Sequence, residues 1–214
     1  MRITKTLLIS AVLLMSATGL QAAGFIQKGN YLTVQLKEHQ NYGPSQIRLQ
    51  VVNDQIIRVQ ATAEQSFRNK QSLIIVPQNS KANYKVEEQG DKLIITTAAM
   101  RAVLNEATGQ ITFYDLKDNV LLNEVAQGGK TFKPFNVPDR EIGVDIAKVP
   151  EAQKHGWSWR ALFDSPDNEA FYGLGQHQSE ELNMKGKNED LFQYNTKVSV
   201  PFVISNKNYG ILWD

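Results

Sequence analysis

The apolar residues of the first half of the chain mostly alternate with polar ones. The apolar positions of three such runs are Leu32, Val34 and Leu36, then Ile47, Leu49 and Val51, then Ile57 and Val59. Successive side chains of a β-strand point to opposite faces, so a period of two predicts strands with one buried face. The sequence therefore predicts half-buried β-strands from Tyr31 onward.

Short turn segments separate these runs. Asn53-Asp54 divides the second run from the third, and a Gln-Gly-Asp turn at 89–91 divides two further runs at 84–86 and 93–95. Additional apolar runs are found at 100–104, 111–114 and 120–122, with turn residues at 107–110 and 118–119. Because Asn, Asp and Gly at this spacing favour hairpins, we predict a meandering antiparallel sheet.

The second half of the chain is less regular. Gly and Pro residues mark a looser stretch between 128 and 143, and further strands are predicted at 144–149, 157–163 and 202–204. No window shows the sustained period of 3.6 that an amphipathic helix needs. Ten or more short strands predict an all-β fold, a large antiparallel two-sheet sandwich. Since no linker or internal repeat is visible, we expect one domain over residues 24–214.

Residues 1–23 have the three parts of a secretory signal peptide. Arg2 and Lys5 form the basic start, residues 7–15 are apolar, and Ala22 and Ala23 offer small residues for cleavage. The apolar run is shorter than the roughly 18–20 residues that a membrane-spanning helix needs. We therefore expect an exported chain without a membrane span, in the periplasm or outside the cell. The sequence contains no cysteine, so core burial rather than disulfides must stabilise it.

The charge of the chain argues against nucleic acid as a partner. The formal net charge is +1, from 23 basic and 22 acidic residues that form no Lys/Arg cluster. A nucleic-acid-binding surface needs such a basic patch. Motifs for other chemistry are also missing from the sequence, including Gly-x-Ser-x-Gly, His-Glu-x-x-His and a glycine-rich phosphate loop. Because His39, His155 and His177 lack close ligand spacing, we expect neither a metal site nor a cofactor.

Glycoside cleavage needs two carboxyl groups roughly 5–10 Å apart, and acidic residues of the C-terminal part are the candidates for it. Neighbouring acidic residues are found at Asp164 and Asp167, at 180–181 and at 189–190, all in polar, turn-like segments. We interpret each as a solvated pair, so no catalytic residue is predicted. Aromatic residues are frequent in the same part, and rings stack on sugar faces. Trp157 and Trp159, which share one face of a predicted strand, are instead predicted to pack in the core.

Four motifs near the C-terminus occur in a specific order. FYGLGQHQ at 171–178 is followed by LFQYNT at 191–196, Pro-Phe at 201–202 and YGILWD at 209–214. This pattern resembles the end of the N-terminal β-sandwich domain of glycoside hydrolase family 31, the α-glucosidases and α-xylosidases. The GQHQ form at 175–178 is most similar to the α-xylosidase branch. The resemblance implies that the sandwich is a galactose-mutarotase-like supersandwich.

The resemblance also implies a function. In that family the sandwich precedes a (β/α)₈ barrel that carries both catalytic aspartates, and this sequence ends at Asp214, before any barrel. We therefore expect a substrate-shaping domain of an exported α-glycosidase that acts on an α-linked xylosyl or glucosyl oligosaccharide. By itself the chain is expected to be inactive. The resemblance leaves open a truncated gene product, a split subunit whose partner is a separate catalytic barrel protein, and a domain-only relative. The alternative is a stand-alone carbohydrate-binding module, or a protein-interaction domain, without hydrolase activity.

The resemblance places the substrate-binding residues in one loop, because the family's sandwich contributes a loop to the sugar subsites. Here that loop is expected at 178–197. Many members have Arg-Asp where this sequence has Tyr194-Asn195, and a phenol and an amide can also bind sugar. Alternatively, Asn195 caps the following turn and Tyr194 covers the sheet. His177 and Gln178 are the other predicted binding residues, unless they satisfy backbone groups of a tight glycine turn.

Overall fold

The structure is a computed structural model of the 214-residue chain. It describes residues 24–38, 40–68, 71–76, 82–127, 129–136, 146–151, 154–178 and 181–214. The predicted signal peptide at 1–23 and His39 lie outside the described residues. No helix within these ranges has the length and apolar character needed to cross a membrane.

Within the described residues, fourteen β-strands form four antiparallel sheets. The strands are β1 (Phe25–Lys28), β2 (Tyr31–Gln35), β3 (Gln46–Asn53), β4 (Ile56–Thr62), β5 (Lys85–Gln89), β6 (Lys92–Thr96), β7 (Arg101–Asn105), β8 (Ile111–Tyr114), β9 (Val120–Asn123), β10 (Lys130–Asn136), β11 (His155–Ala161), β12 (Phe171–Gln176), β13 (Val198–Ser205) and β14 (Tyr209–Leu212). The sheets contain β1–β4, β5–β9, β10–β11 and β12–β14, each in chain order. This arrangement is the meander that the turn residues predict.

The four-stranded and five-stranded sheets share one apolar core. Its fully buried members are Leu32, Val34, Ile47, Leu49 and Val51 from β2 and β3, and Leu93, Ile95, Leu104 and Ile111 from β6, β7 and β8. Burial alternates residue by residue along β2 and along most of β3, because only one face of each strand meets the other sheet. Removing each such side chain from water stabilises the fold by roughly 1.5–3 kcal/mol. The predicted all-β sandwich is confirmed.

A buried ion pair joins β10 to the five-stranded sheet. Lys130 Nζ contacts Glu124 Oε2 and also donates to Gly109 O at 3.2 Å. The same carboxylate oxygen of Glu124 accepts from the Ile111 N–H at 2.9 Å. Burial raises the pKa of Glu124 and lowers the pKa of Lys130, and the attraction between the two groups opposes both shifts. The pair fixes the start of β10 beside the turn between β7 and β8.

Several elements differ from the sequence prediction, including β1 and β14, which lie where no strand was predicted. Of the strand predicted at 144–149, the segment Ile146–Lys148 forms a 3₁₀ turn, and residues 144–145 lie outside the described part. Strand β10 occupies a stretch predicted to be loose, and β12 occupies a glycine-rich motif. Within the described residues β10 pairs with β11 alone, so the missing N–H of the proline at 134 does not interrupt a central ladder.

The core position predicted for Trp157 and Trp159 is wrong. Both side chains lie on one face of β11, opposite Pro134 and Phe132 of β10, but each is nearly half exposed to solvent. The period of two correctly predicts that both side chains share one face, but it does not predict whether that face is buried. In the part of the chain that the structure describes, the β10–β11 sheet has two strands, so it covers less apolar surface than the main sandwich.

Candidate functional site

The FYGLGQ motif forms β12 with a register shift at its centre. Gly173, Leu174 and Gly175 have φ angles of +113°, +66° and +108°, and the pairing with β13 shifts between the two glycines. A Cβ atom on Gly175 would lie 2.0 Å from Val198 O of β13. Only glycine combines such a backbone with so close an approach. The motif therefore lets β12 lie directly against β13 and sets the direction of the loop that follows.

The loop of residues 177–197 begins at a largely buried histidine. The side chain of His177 is 6% exposed, and its Nδ1 lies 2.8 Å from Glu189 Oε1, an ion-pair contact that is not aligned as a hydrogen bond. Its Nε2 lies 2.7 Å from Leu174 O. Since both ring nitrogens face protein groups, this geometry favours the alternative in which His177 satisfies its neighbours. Gln178, the next residue, is exposed.

Glu189 connects the two ends of the loop. Its Oε1 accepts from Lys197 Nζ at 2.5 Å, and Lys197 Nζ also donates to Asp190 O at 2.5 Å. The Lys197 hydrogen bond, and then the charge of His177, hold the pKa of Glu189 below its ordinary value. The Glu189 side chain is only 16% exposed, so the prediction of a solvated pair at 189–190 is wrong for this residue. Glu189 and Lys197 are structural residues of the site that the sequence analysis missed.

The middle of the loop is attached to β12. Asn183 Oδ1 accepts from the Phe171 N–H at 3.0 Å, and the Met184 N–H donates to Phe171 O at 2.8 Å. Asn183 Oδ1 also accepts from the Lys185 N–H at 3.1 Å, which closes a local turn. The 177–197 loop is thus anchored at its centre as well as at its ends.

Tyr194 and Asn195 lie on the exposed part of the loop. The Lys197 N–H donates to Tyr194 O at 2.9 Å and closes a turn around Asn195. The Tyr194 side chain is 52% exposed, and its ring stacks on Phe192 with the centroids 6.2 Å apart. The exposed Asn195 amide is not used in the described hydrogen bonds of this turn, so the capping alternative is not observed. A phenol, a second aromatic ring and an amide are therefore presented side by side to solvent.

The structure separates the four predicted binding residues into two groups. His177 belongs to the ion-pair cluster with Glu189 and Lys197, whereas Gln178, Tyr194 and Asn195 are exposed. Lys197 links the groups, because its side chain contacts Glu189 and its backbone pairs with Tyr194. Within the described ranges, no three His, Asp or Glu side chains come together as a metal-binding group.

An exposed apolar surface continues from the end of this loop along β13. We call it the β13 face, and it consists of Val198, Val200, Phe202 and Ile204 with Tyr172 of β12 and Leu212 of β14. The β13 members alternate along the strand, and Tyr172 and Leu212 share their face because they pair with Ile204 and Phe202. Contiguous exposed apolar surfaces of this kind mark interaction sites.

Comparison with known proteins identifies the family. Residues 46–214 match the model of the glycosyl hydrolase 31 N-terminal galactose mutarotase-like domain, and the chain belongs to this family. An uncharacterized family 31 glucosidase of Pseudescherichia vulneris is 27% identical over 78% of this chain and 32% of its own length. An α-xylosidase of Saccharolobus solfataricus is 24% identical over 80% of this chain and 22% of its own length.

Solved structures show the same relationship. The family 31 α-xylosidase of Xanthomonas citri is 36% identical with a TM-score of 0.75, covering 88% of this chain and 18% of that one. A family 31 α-xylosidase from a soil metagenome, complexed with xylose, is 28% identical with a TM-score of 0.64, covering 88% of this chain and 27% of that one. The chain therefore spans no more than 32% of the length of any of these relatives. The predicted resemblance to family 31, with α-xylosidases among the relatives, is confirmed.

Proposed function

We propose that this chain is the N-terminal domain of an exported α-glycosidase of the α-xylosidase type, and that its 177–197 loop shapes the sugar subsite. The similarity to two α-xylosidases of known structure supports the α-xylosidase type. The predicted signal peptide supports export to the periplasm or the extracellular space. In this proposal the substrate is an α-linked xylosyl or glucosyl oligosaccharide, and the cleavage chemistry belongs to a catalytic (β/α)₈ barrel.

The observation that carries the proposal is an anchored loop with unused binding groups at its exposed part. Glu189, Lys197 and Asn183 fix the loop, while Tyr194 and Asn195 face solvent. A ring stacks on the C–H face of a sugar, and an amide both donates to and accepts from its hydroxyls. Because the loop is already held in place, binding a sugar would cost little conformational entropy.

The β13 face supports a partner in addition to the sugar. Six neighbouring apolar side chains are exposed there, and the relatives are at least three times as long as the matched part of this chain. In our proposal the catalytic barrel covers this face and brings its active site to the 177–197 loop. A stand-alone carbohydrate-binding module is the second candidate, favoured by the exposed aromatic pair Phe192 and Tyr194, but it leaves the β13 face without a role.

Replacing the exposed polar groups of the loop tests the subsite. In the complete glycosidase, Tyr194→Ala and Asn195→Ala are each expected to lower kcat/KM for an α-xyloside about tenfold, which corresponds to about 1.4 kcal/mol of transition-state stabilisation. The reason is the loss of a stacking surface in one variant and of a hydrogen-bonding amide in the other. Steady-state kinetics with p-nitrophenyl α-xyloside measure the effect.

Asn119→Ala serves as the matched control for these variants. Asn119 is also an exposed asparagine in a turn, but it lies between β8 and β9 and donates to Asp115 Oδ2 at 2.7 Å. Its replacement should leave kcat/KM unchanged. Wild-type kinetics in both loop variants, or an equal loss in Asn119→Ala, would contradict the proposed subsite.

A further inference from the structure

Gly24, the first described residue, lies against two carboxylates. Its backbone N–H donates to Glu88 Oε1 at 2.7 Å. On its other side, a Cβ atom added to Gly24 would lie 2.4 Å from Glu106 Oε2 and 2.8 Å from Glu106 Oε1. The Glu106 carboxylate therefore touches the α-carbon of Gly24, and any larger residue at position 24 would displace it.

The Glu106 carboxylate is buried, and one of its two oxygens lacks a hydrogen-bond donor in the described part of the chain. Its side chain is 3% exposed, and Lys37 Nζ lies 3.3 Å from Oε2. The other oxygen, Oε1, is buried with no hydrogen-bond partner among the described residues. An acceptor that is removed from water without a donor destabilises a fold. The geometry thus indicates a donor that is still to be supplied at this position.

The local charges point to a cation as that donor. Lys37 is shared, because its Nζ also contacts Asp91 Oδ1 at 2.5 Å. The carboxylates of Glu106 and Asp91 therefore share a single lysine, and Glu88 adds a third carboxylate at the Gly24 nitrogen. A peptide N–H at Gly24 offers one proton and no charge. A free α-amino group is mostly protonated at neutral pH and offers three protons and a positive charge.

We propose that the exported precursor is cleaved between Ala23 and Gly24, and that the new α-ammonium group of Gly24 binds in the pocket formed by Glu88 and Glu106. Cleavage is a hydrolysis: one water molecule is consumed, Ala23 leaves with a carboxylate, and the Gly24 nitrogen becomes an ammonium group. The sequence alone leaves cleavage after Ala22 or Ala23 open, whereas only cleavage before Gly24 turns the nitrogen that contacts Glu88 into an ammonium group. The bound terminus would fix β1 (Phe25–Lys28) at the edge of the sandwich.

This inference rests on the export proposed above, and the test separates the two. The whole precursor is produced with its own leader in a bacterium that exports proteins, and the intact mass of the mature protein is measured. We expect the mass of a chain that begins at Gly24. An unprocessed precursor would overturn both export and this inference, whereas a mature protein that begins at any other residue would overturn this inference alone.

The reactivity of the terminal amine tests the ion pair itself. Acetylation of the Gly24 α-amine with limiting reagent near neutral pH is expected to be roughly tenfold slower in the wild type than in Glu106→Gln, because an ion-paired, hydrogen-bonded ammonium is protected. Glu88→Gln is a second variant for the same test. Because Glu88 is exposed, this variant should fold even if Glu106→Gln does not. Glu87→Gln is the control, since Glu87 pairs with Lys85 instead. Equal acetylation rates in the wild type and in Glu106→Gln would overturn the inference. If Glu106→Gln does not fold, equal rates in the wild type and in Glu88→Gln would overturn it.

Discussion

Lys130→Met is expected to lower the free energy of unfolding by about 3–5 kcal/mol, the range found when one partner of a buried ion pair is removed. Glu124 would keep its bond from the Ile111 N–H but would hold an uncompensated charge in a side chain that is 5% exposed. Gly109 O would also lose its lysine donor. Urea unfolding of the purified chain, followed by circular dichroism, measures the loss.

The loss should depend on pH. Burial already raises the pKa of Glu124, and without Lys130 the neutral carboxyl is favoured further. A group whose pKa is raised in the folded state contributes its stability below the unfolded-state pKa, and this contribution is lost as pH rises through the folded-state pKa. Lys130→Met should therefore be closer to the wild type at about pH 5 than at about pH 8.

A double variant separates buried charge from lost packing. In Lys130→Met with Glu124→Gln, the amide oxygen still accepts from the Ile111 N–H, and no unpaired charge remains. Most of the lost stability should return, and the pH dependence should disappear. A single Lys130→Met variant that is as stable as the wild type at neutral pH would contradict the role of this pair.

Gly175→Ala is expected to destabilise the chain by about 3 kcal/mol or more. A positive φ costs a non-glycine residue about 1–3 kcal/mol, and here the added Cβ would also lie 2.0 Å from Val198 O and 2.9 Å from Val200 N. Both contacts are with the backbone of β13, so relief requires separation of β12 from β13. The same urea titration measures the change.

Gly186→Ala, in the loop that follows β12, is the matched control. Gly186 has φ +72°, close to the left-handed region, but an added Cβ would meet nothing within 4 Å. Only the backbone cost of about 1–2 kcal/mol is expected there. Equal losses in the two variants would show that strand contact at Gly175 contributes nothing, contrary to the explanation given for the FYGLG motif.

The sandwich could be predicted from the sequence because its two main sheets are buried on one side. Leu32, Val34 and Leu36 fall on the core face, and their polar neighbours stay at least partly accessible, which produces the period of two. The turns could also be predicted, because glycine favours positive φ and Gly90 has φ +62° in the β5–β6 hairpin. In this half of the chain the turn residues and the pattern of burial indicate the same strands.

The remaining strands could be predicted from alternation only in part. In β12 two glycines with positive φ replace side chains that would mark a face, and the register shift breaks the period. In β13 the alternation is real, but the apolar set formed by Val198, Val200, Phe202 and Ile204 faces solvent. Hydrophobic pattern therefore located the strand without revealing whether its apolar face is covered within this chain.

The position of the candidate site could be predicted from the sequence. The motif order placed the loop at 178–197, and Tyr194 and Asn195 lie among its exposed residues, but their binding role stays a prediction. The Glu189–Lys197 contact was missed because it depends on the turn at 194–197, which brings together residues eight positions apart. The sequence places Glu189 next to Asp190, which suggested a solvated acidic pair. In the fold, Lys197 contacts Glu189 instead.

Hydrolysis of p-nitrophenyl α-xyloside tests the central proposal most directly. The purified chain is assayed alone and together with the catalytic barrel encoded with it, and the barrel is also assayed alone. We expect no hydrolysis by the chain alone, and a kcat/KM for the combination well above that of the barrel alone. A barrel whose activity does not change when the chain is added, combined with saturable binding of xyloglucan oligosaccharides to the chain alone, would contradict the proposal and establish a stand-alone binding module.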